Sequence, residues 1–487
     1  MLLLLILIPI LAAAAILIGA PTRATATGAA WLNLLLTLVA LAGYHSNPGG
    51  YQEIFRVPIL PDWNLQFLLG VDGLSLVMLL LTAIVTVAAL WVAPPVQGNE
   101  RAYFACLLFI SAGATGAFAS LDLFFFYAFH ELALIPTFLL IGIWGSGDRQ
   151  AAAWKITIYL AVGSFILLLG LLGLYLSFPV DHRTFDITVL QQQAAMINPG
   201  SANAIYLALL LGFGILISLF PFHTWAPAAY ASAPAPAAMM HAGVLKKFGL
   251  YGLLRVALPL LPGPAHHYAN LLLVLLVGNI IYAGLATIGQ KRLDLMLGYS
   301  SVMHMGYIFL GIASFNVIGA TGAGLLMFAH GLSIAALFAI AGQVRERTGT
   351  LAFADLGGLA KPMPLLGFIF GLAAFAAIGL PGFANFPSEI MVFFGAFHNG
   401  TASPYSNYQI ATLLALWGLV ISAVYMLRGY RAVFQGEIPE RWSGLKDITT
   451  LRWPVVLLLA VLLLAGFVPG MFVNLIQPVV AAFLTPK

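Results

Sequence analysis

Long apolar runs separated by short polar segments extend along almost the whole chain. A helix that crosses the hydrocarbon core of a membrane needs roughly 20 consecutive apolar residues. Measured against that length, the pattern predicts about fourteen spanning helices, at 1–19, 29–44, 67–93, 102–119, 122–143, 152–176, 203–225, 235–257, 268–288, 295–314, 317–342, 364–397, 407–428 and 453–476. The expected fold is therefore an all-α polytopic membrane protein, with 50–62 at the membrane surface and 177–202 as its longest polar insert.

Composition supports this fold class and excludes others. Charged residues make up 7% of the chain, against roughly 25% in soluble domains, and hydrophobic residues make up 62%. Cys106 is the only cysteine, which excludes an internal disulfide and a CxxC ligand pair. The sequence also lacks glycine-rich nucleotide-binding loops and the basic runs typical of nucleic-acid binding. We therefore expect this chain to bind no redox cofactor, metal, nucleotide or nucleic acid.

Lysine and arginine residues are distributed unevenly between the two sides of the predicted bundle. Loops after even-numbered spans contain little more than Arg56 and Arg183. Loops after odd-numbered spans contain Arg23, Arg101, Arg149, Lys155, Lys291, Arg292, Arg345, Arg347, Lys361, Arg428, Arg431, Arg441, Lys446 and Arg452. Because cytoplasmic loops carry the excess of basic residues, we expect the odd loops in the cytoplasm. Both termini would then lie on the other side of the cell's inner (plasma) membrane.

Proline residues interrupt two of the predicted spans. Span seven contains Pro221 and Pro227, and span twelve contains Pro381 and Pro387. A straight helix over 364–397 would be about 50 Å long, whereas the hydrocarbon core is about 30 Å thick. We therefore expect broken helices at spans seven and twelve, with irregular backbone buried in protein or facing water.

The two interrupted spans occupy equivalent places in two five-helix units, spans four to eight and nine to thirteen. An odd number of spans inverts the second unit, and inverted repeats with broken helices are typical of ion-coupled transporters. Proline kinks are also common in other membrane helices, which is the alternative explanation. The predicted units are 1–100 (three helices), 101–260 and 261–435 (the two repeats), and 436–487 (a loop and the last helix).

Ionisable side chains lie within the apolar runs at Glu131, His223, His241, Lys246, Lys247, His304, His330 and Glu389. A charge at the bilayer centre costs at least about 2.5–3.5 kcal/mol, so such residues normally face the bundle interior and often carry ions or protons. Histidine titrates at about pH 6.5 and relays protons at little energetic cost. We therefore predict a buried row of exchangeable protons. The two lysines differ by about 100° around their helix and should find different partners.

These residues also have purely structural explanations. A protonated Glu131 would join helices by hydrogen bonds. Glu389 follows a predicted break, where the dipole of a new helix N-terminus favours a carboxylate. A single buried histidine is often only a hydrogen-bonded packing residue. The chain has no HExxH-type spacing and no nucleophile elbow, so neither a metal site nor hydrolytic catalysis is predicted.

Several stretches, in order along the chain, resemble the antiporter-like membrane subunits of proton-pumping NADH–quinone oxidoreductase (bacterial complex I), and its subunit M family in particular. They are "LGVDGLS" (70–76), "FFFYAFHELALIP" (124–136), "LFPFHTWAP" (219–227), "HAGVLKKFGLYGLLR" (241–255), "GYSSVMHMGYIFLGI" (298–312), "AHGLSIAALF" (329–338), "RERTGT" (345–350) and "LPGFANFPSE" (380–389). Subunits of multi-subunit cation/proton antiporters and of membrane-bound hydrogenases share much of this pattern.

The resemblance implies fourteen spans, broken helices seven and twelve, and no cofactor in this chain. FMN, iron–sulfur clusters and quinone would belong to partner subunits, and neighbouring antiporter-like subunits and the lipid bilayer would surround the chain. By position, Glu131 corresponds to the family's glutamate of span five and Lys247 to its lysine of span eight. His330 corresponds to the histidine of span eleven, and Glu389 to the glutamate of span twelve.

One departure from the family affects the predicted row. Leu216 stands where family members usually carry a lysine, so the usual partner of Glu131 is missing. The candidates for replacing it are Lys155, Lys246, His130 and His223. Three functions stay open: a proton-translocating subunit of a complex I-type enzyme, a subunit of a cation/proton antiporter or membrane-bound hydrogenase-type complex, and a structural membrane anchor.

Overall fold

The structure is a computed structural model that describes residues 1–45, 50–399, 406–448 and 452–484. Helices dominate these residues, which confirms the predicted all-α class. The first part of the chain forms α1 (Leu2–Ile18), α2 (Thr22–Ala42), α3 (Gly73–Trp91), α4 (Glu100–Ala119), α5 (Leu123–Trp144), α6 (Arg149–Leu176), α7 (Ile187–Gln192) and α8 (Pro199–Ile217).

The middle and the end of the chain continue in the same way. They form α9 (Trp225–Ser232), α10 (Ala235–Met240), α11 (Lys247–Gly252), α12 (Leu258–Leu260), α13 (Pro262–His267), α14 (Ala269–Val277), α15 (Gly284–Ile288), α16 (Leu293–Ala313), α17 (Val317–Thr348), α18 (Pro364–Ile378), α19 (Asn385–His398), α20 (Asn407–Phe434), α21 (Arg452–Phe467) and α22 (Gly470–Leu484). Wider π-helical turns occupy His241–Leu245, Leu253–Ala257 and Gly278–Ala283. Short 3-10 helices occupy Pro61–Trp63, Val180–His182, Ala194–Met196 and Glu440–Trp442.

Ten helices of the described chain are long and apolar enough to cross a membrane: α2 to α6, α8, the continuous stretch Ala269–Ile288, α16, α17 and α20. The bent pair α21 and α22 raises the number to eleven if it forms one span. The other predicted spans correspond to α1, to the segment 235–260 that two π-helical turns divide, and to the interrupted pair α18 and α19. The predicted total of fourteen is therefore not confirmed by length and apolarity.

Aspartate residues at the ends of polar loops set where several helices begin. The carboxylate of Asp72 accepts a hydrogen bond from the backbone N–H of Ser75 at 2.9 Å. Asp122 accepts from the backbone N–H groups of Phe124 and Phe125. A helix leaves its first N–H groups without partners, and a side-chain oxygen at the N-cap satisfies them. The polar loops thus both separate the apolar runs and start the helices that follow.

A β-hairpin precedes the third span. β1 (Gln52–Leu60) pairs antiparallel with β2 (Leu65–Val71), and α3 begins only at Gly73. The prediction that span three starts at residue 67 was therefore wrong. The apolar run begins inside the strand, where pairing with β1 rather than helical bonding satisfies the backbone.

The last predicted span, 453–476, corresponds to two helices, α21 and α22, separated by a bend that was not predicted. α21 and α22 meet at an angle of 72°, and Val468 and Pro469 lie between them. Proline has no backbone N–H and clashes with the preceding turn, so it ends a helix in this context. Beyond the bend, α22 packs against α3 and α17 and so closes the bundle around them.

A buried ion pair joins the hairpin, α3 and the end of the eighth predicted span. Arg255 is fully buried, and its guanidinium donates to the two carboxylate oxygens of Asp72 at 2.5 and 2.8 Å. The hydroxyl groups of Ser75, Tyr251 and Tyr51 accept further N–H groups of this guanidinium at 2.9–3.1 Å. Such complete pairing is what a buried charge requires.

We expect Arg255→Met to lower the free energy of unfolding by about 3–5 kcal/mol, because it leaves Asp72 charged and buried. Arg441, which forms an exposed ion pair with Asp355 at 3.4 Å, is the control, and Arg441→Met should cost less than about 1 kcal/mol. Cys106 is buried, so the temperature at which a thiol-reactive dye labels it in detergent measures unfolding. Equal labelling midpoints in the two variants would contradict the importance of the buried pair.

Candidate functional site

Two interrupted helices lie where the prolines predict them. The chain leaves α8 at Ser218 and α18 at Gly379, both with left-handed backbone (φ 72° and 82°). Helical structure resumes at Trp225 in α9 and at Asn385 in α19. The breaks expected in spans seven and twelve are thus confirmed.

Asn279 satisfies the backbone that the first break leaves free. It is fully buried in the π-helical turn between α14 and α15. Its amide donates to the carbonyl oxygens of Ser218 and Val302 at 3.0 Å, and its oxygen accepts the N–H of Phe220 at 2.7 Å. Irregular backbone inside a membrane is tolerated only with such partners. Asn279 was not among the predicted site residues, although a lone asparagine in an apolar run was an available signal.

Lys246 and Lys247 are both completely buried, and they face different partners, as their separation around the helix predicts. The Nζ atom of Lys246 donates to Ser301 Oγ of α16 at 3.3 Å and lies 5.4 Å from the ring centre of Tyr230. The Tyr230 hydroxyl lies 3.1 Å from His241 Nδ1. Lys246, Tyr230 and His241 therefore form one polar group at the junction of α9, α10 and α16.

Lys247 contacts a second set of partners. Its Nζ atom donates to the carbonyl oxygen of Ala242 at 2.6 Å and lies 3.0 Å from His330 Nδ1 of α17. The ring centre of His330 is 5.4 Å from that of His304. Ala242 belongs to a π-helical turn, a feature that often marks functional sites and that was not predicted from the sequence.

His304 ends this row at the second break. Its Nδ1 atom lies 2.8 Å from the carbonyl oxygen of Ser300, and its Nε2 atom lies 2.9 Å from that of Ala377, shortly before Gly379. A neutral imidazole carries a single N–H, so both hydrogen bonds form only when the ring is protonated. His304 can therefore hold a proton beside the broken helix.

Glu389 lies buried on the far side of the same break. Its carboxylate lies so close to Gly379 that any side chain at that position would collide with it. Its Oε1 atom has no hydrogen-bond partner among the described residues. Tyr307, whose ring centre is 5.7 Å from that of His304, lies within electrostatic range of Glu389. A buried carboxylate without a partner is costly when charged, which makes Glu389 a natural proton acceptor.

Glu131 lies apart from the row, on α5, with 36% of its side chain exposed. Its carboxylate accepts a hydrogen bond from Ser164 of α6 and lies 3.6 Å from His130 Nδ1. No lysine or arginine of the described chain forms an ion pair with it. Of the four candidates for replacing the lysine absent at Leu216, His130 is therefore the one that the described structure places next to Glu131.

His223 is buried at the first break and does not join the row. Its ring centre lies 5.6 Å from those of Phe220 and Tyr282, and its Nδ1 atom has no hydrogen-bond partner among the described residues. In the same part of the chain, no group of three or more His, Cys, Asp or Glu side chains is arranged to hold a metal ion.

A cavity of about 230 Å³ opens on the side of the bundle that carries the basic loops. Ser146, Asp294, Arg345, Glu346 and Tyr230 contribute to its lining. Arg345 donates to Asp294 at 2.5 Å and to Ser146 at 2.8 Å, so paired polar groups surround its mouth. Tyr230 lines this cavity and also belongs to the polar group of Lys246 and His241. The cavity therefore extends from the surface to that end of the row.

Known proteins resemble this chain over most of its length. Residues 120–438 match the family described as "NADH:quinone oxidoreductase/Mrp antiporter, TM". The chain is 38% identical over 405 residues to NAD(P)H-quinone oxidoreductase chain 4-2 of Synechocystis sp., covering 83% of this chain and 71% of that protein. It is 35% identical to NADH-quinone oxidoreductase subunit M of Rickettsia conorii, covering 84% and 81%. A chain in the structure of respiratory complex I from Thermus thermophilus with bound NADH matches with a TM-score of 0.89 and 31% identity, covering 99% of both chains.

We expect Gly379→Ala to destabilise the chain by more than about 1 kcal/mol. A left-handed backbone costs other residues about 1–2 kcal/mol, and the Glu389 carboxylate would have to shift to make room for the added Cβ. Gly371→Ala is the control, because its Cβ would make an ordinary contact with Tyr430 and alanine favours the interior of α18. The midpoint of Cys106 labelling on heating should fall in the first variant alone, and an equal fall in both would refute this account.

Proposed function

The chain belongs to the NADH:quinone oxidoreductase/Mrp antiporter family of membrane proteins, and from this premise we propose that it is a proton-translocating subunit, of the subunit M type, in a complex I-type respiratory enzyme. Redox chemistry in other subunits drives the transport. FMN, iron–sulfur clusters and quinone belong to those partners, and this chain's own part is to move protons across the membrane.

The observation that carries the proposal is a row of buried ionisable side chains in an otherwise apolar bundle, formed by two groups of contacting residues that meet at the consecutive residues Lys246 and Lys247. From the polar cavity, the row passes through Tyr230, His241, Lys246, Lys247, His330 and His304 towards Glu389. Burying so many ionisable groups is costly in a membrane, and residues of this kind normally mark ion or proton pathways.

Lys247 and His330 share one excess proton in this proposal. At 3.0 Å, two positive charges would repel by roughly 5–6 kcal/mol even at an effective dielectric constant of about 20. A proton on Lys247 Nζ can move along their hydrogen bond to His330 Nδ1, which leaves a neutral amine. His330 then releases the proton on Nε2, and a bridging water passes a proton to the ring nitrogen of His304 that carries none. The carbonyl oxygens of Ser300 and Ala377 stabilise the protonated ring that results.

The direction of transport follows from the two ends of the row. We place the basic loops in the cytoplasm of a cell bounded by the inner (plasma) membrane, and both termini on the opposite side. Protons then enter through the cavity beside Arg345 and leave near the break at Gly379. Glu131 lies at the surface of the chain, where a neighbouring subunit can act on it. The two five-helix units, 101–260 and 261–435, each supply one broken helix to this path.

A second function is favoured by the family description, which names Mrp antiporters beside the oxidoreductases. As a subunit of a cation/proton antiporter, the chain would exchange protons for another cation and would need no redox partner. The same row of residues serves either function, so the partners decide between them.

Purification of the tagged chain from its native membranes distinguishes the two functions. We expect subunits that carry flavin and iron–sulfur clusters to accompany it, together with NADH- or NADPH-driven reduction of quinone. The absorbance of flavin and clusters in the purified complex is the measurement. Sodium-dependent proton exchange in a complex without redox subunits would replace the first function by the second.

In vesicles that contain the assembled enzyme, we expect Lys247→Met to slow proton transport by roughly 10- to 100-fold. A hydrogen bond to a charged group is worth about 1.5–3 kcal/mol, and each 1.36 kcal/mol changes a rate about tenfold. Lys361→Met removes an exposed lysine and should leave the rate unchanged. The measurement is proton uptake driven by substrate oxidation. Normal uptake by an assembled Lys247→Met enzyme would instead indicate a structural anchor.

A further inference from the structure

His130 and Glu131 are consecutive residues of α5 whose side chains approach each other. His130 Nδ1 lies 3.6 Å from Glu131 Oε1, and this nitrogen has no hydrogen-bond partner among the described residues. Consecutive side chains of a helix point about 100° apart. They converge only when neighbouring elements hold them together, so their approach requires an explanation.

Two other helices hold this arrangement. The ring of His130 stacks on Phe248 of α11 with ring centres 4.1 Å apart, and Phe248 stacks on Phe126 at 4.3 Å. Ser164 of α6 donates a hydrogen bond to the Glu131 carboxylate. His130 is 4% exposed and Glu131 36%. The imidazole therefore faces the helix that carries the lysines, and the carboxylate faces the outer surface.

The ionisable groups around the pair are few. Tyr127 lies on the same helix and interacts with Glu131. His241, in the π-helical turn that packs on α5, interacts electrostatically with His130 and with both lysines of the next segment. α4, α10 and β2 also pack on α5. There α4 presents Gly113 and Gly116, and β2 presents the ring of Phe67. His130 is thus the cationic group that the described structure offers to Glu131.

We propose that His130 is the group that exchanges a proton with Glu131, in the role that a lysine at position 216 would otherwise fill. This proposal rests on the proposed function. It specifies how a change of charge at the outer surface alters the protonation of the row. The proton moves between His130 Nδ1 and Glu131 Oε1, so an imidazolium–carboxylate pair becomes a neutral pair with no change in total charge. The two atoms need to approach to hydrogen-bond distance, or to share one water, for the transfer.

This exchange transmits charge from the surface to the interior. A positive charge that approaches Glu131 from a neighbouring subunit stabilises the carboxylate, so the proton resides on His130. The imidazolium then repels positive charge on the segment that carries the two lysines, because its ring stacks on Phe248, the residue that follows Lys247. When the external charge withdraws, the proton returns to Glu131 and the repulsion ends.

Variants of the complete enzyme in membrane vesicles test the proposal. His130→Gln removes the titratable group and keeps a planar polar side chain, whereas His130→Lys keeps a cation. His266→Phe is the control, because the exposed His266 also packs on an aromatic ring, that of Phe315, with ring centres 4.2 Å apart. Proton uptake driven by substrate oxidation is measured as a function of pH, and bound flavin confirms assembly.

We expect His130→Gln to slow proton uptake at least about tenfold, the lower range for a lost acid–base group. His130→Lys should retain uptake but change its dependence on pH, since an ammonium group replaces the imidazole that exchanges the proton. His266→Phe should behave as the unmodified enzyme. If His130→Gln fails to assemble, an unchanged pH profile in His130→Lys overturns the proposal by itself.

Other outcomes separate this inference from the proposed function. Uptake by His130→Gln equal to that of His266→Phe would show that His130 only packs against Phe248. Equal loss in assembled His130→Gln and His130→Lys would show that a cation at this position does not restore uptake, which contradicts the role in which His130 replaces a lysine. Lys247→Met belongs in the same series: normal uptake there overturns the proposed function, whereas a loss there with normal uptake in His130→Gln overturns only the role of His130.

Discussion

The cost of holding charged side chains away from water is the constraint on which this structure depends. The buried charge of Arg255 is fully paired, with Asp72 and with three hydroxyl groups. This pair joins the start of α3 to the end of the eighth predicted span. The groups at the centre are paired less completely: His330 Nε2 and Glu389 Oε1 have no partner among the described residues. Removing one partner of such a fully paired buried charge is strongly destabilising, whereas a group that exchanges protons must keep a free site. The same constraint thus separates the fully paired charges from those through which we propose that protons move.

The broken helices connect this electrostatic pattern to the backbone. In a continuous helix the carbonyl and N–H groups hydrogen-bond to each other, and a break leaves some of them free to bond with other partners. At the first break, Asn279 takes up the released groups of Ser218 and Phe220. At the second, Ala377 offers its carbonyl oxygen to His304, and Gly379 leaves room for the carboxylate of Glu389. The first break is therefore filled by a neutral amide, whereas the second leaves a carbonyl oxygen that contacts an ionisable side chain inside the apolar bundle.

The candidate site was only partly predictable. Lys247, His330, His304 and Glu389 were recognisable because an ionisable residue in an apolar run is costly wherever its helix points. His223 has the same signature, yet it packs between aromatic rings at a break. Asn279 and Tyr230 were missed, since neutral polar side chains carry a smaller cost and a weaker signal.

The sequence by itself determined the membrane class, the approximate positions of most helices and the two interruptions, because helix length, apolarity and proline chemistry are local properties. Tertiary structure alone decided which side chains meet. The partner of each lysine depends on how α16 and α17 pack beside the π-helical turns, and the pairing of Glu131 with His130 depends on the stack with Phe248. The hairpin before α3 and the 72° bend before α22 were decided in the same way. Contacts between segments distant in the chain fix the rotation and bending of a helix. The pattern of apolar residues within one segment does not reveal those contacts.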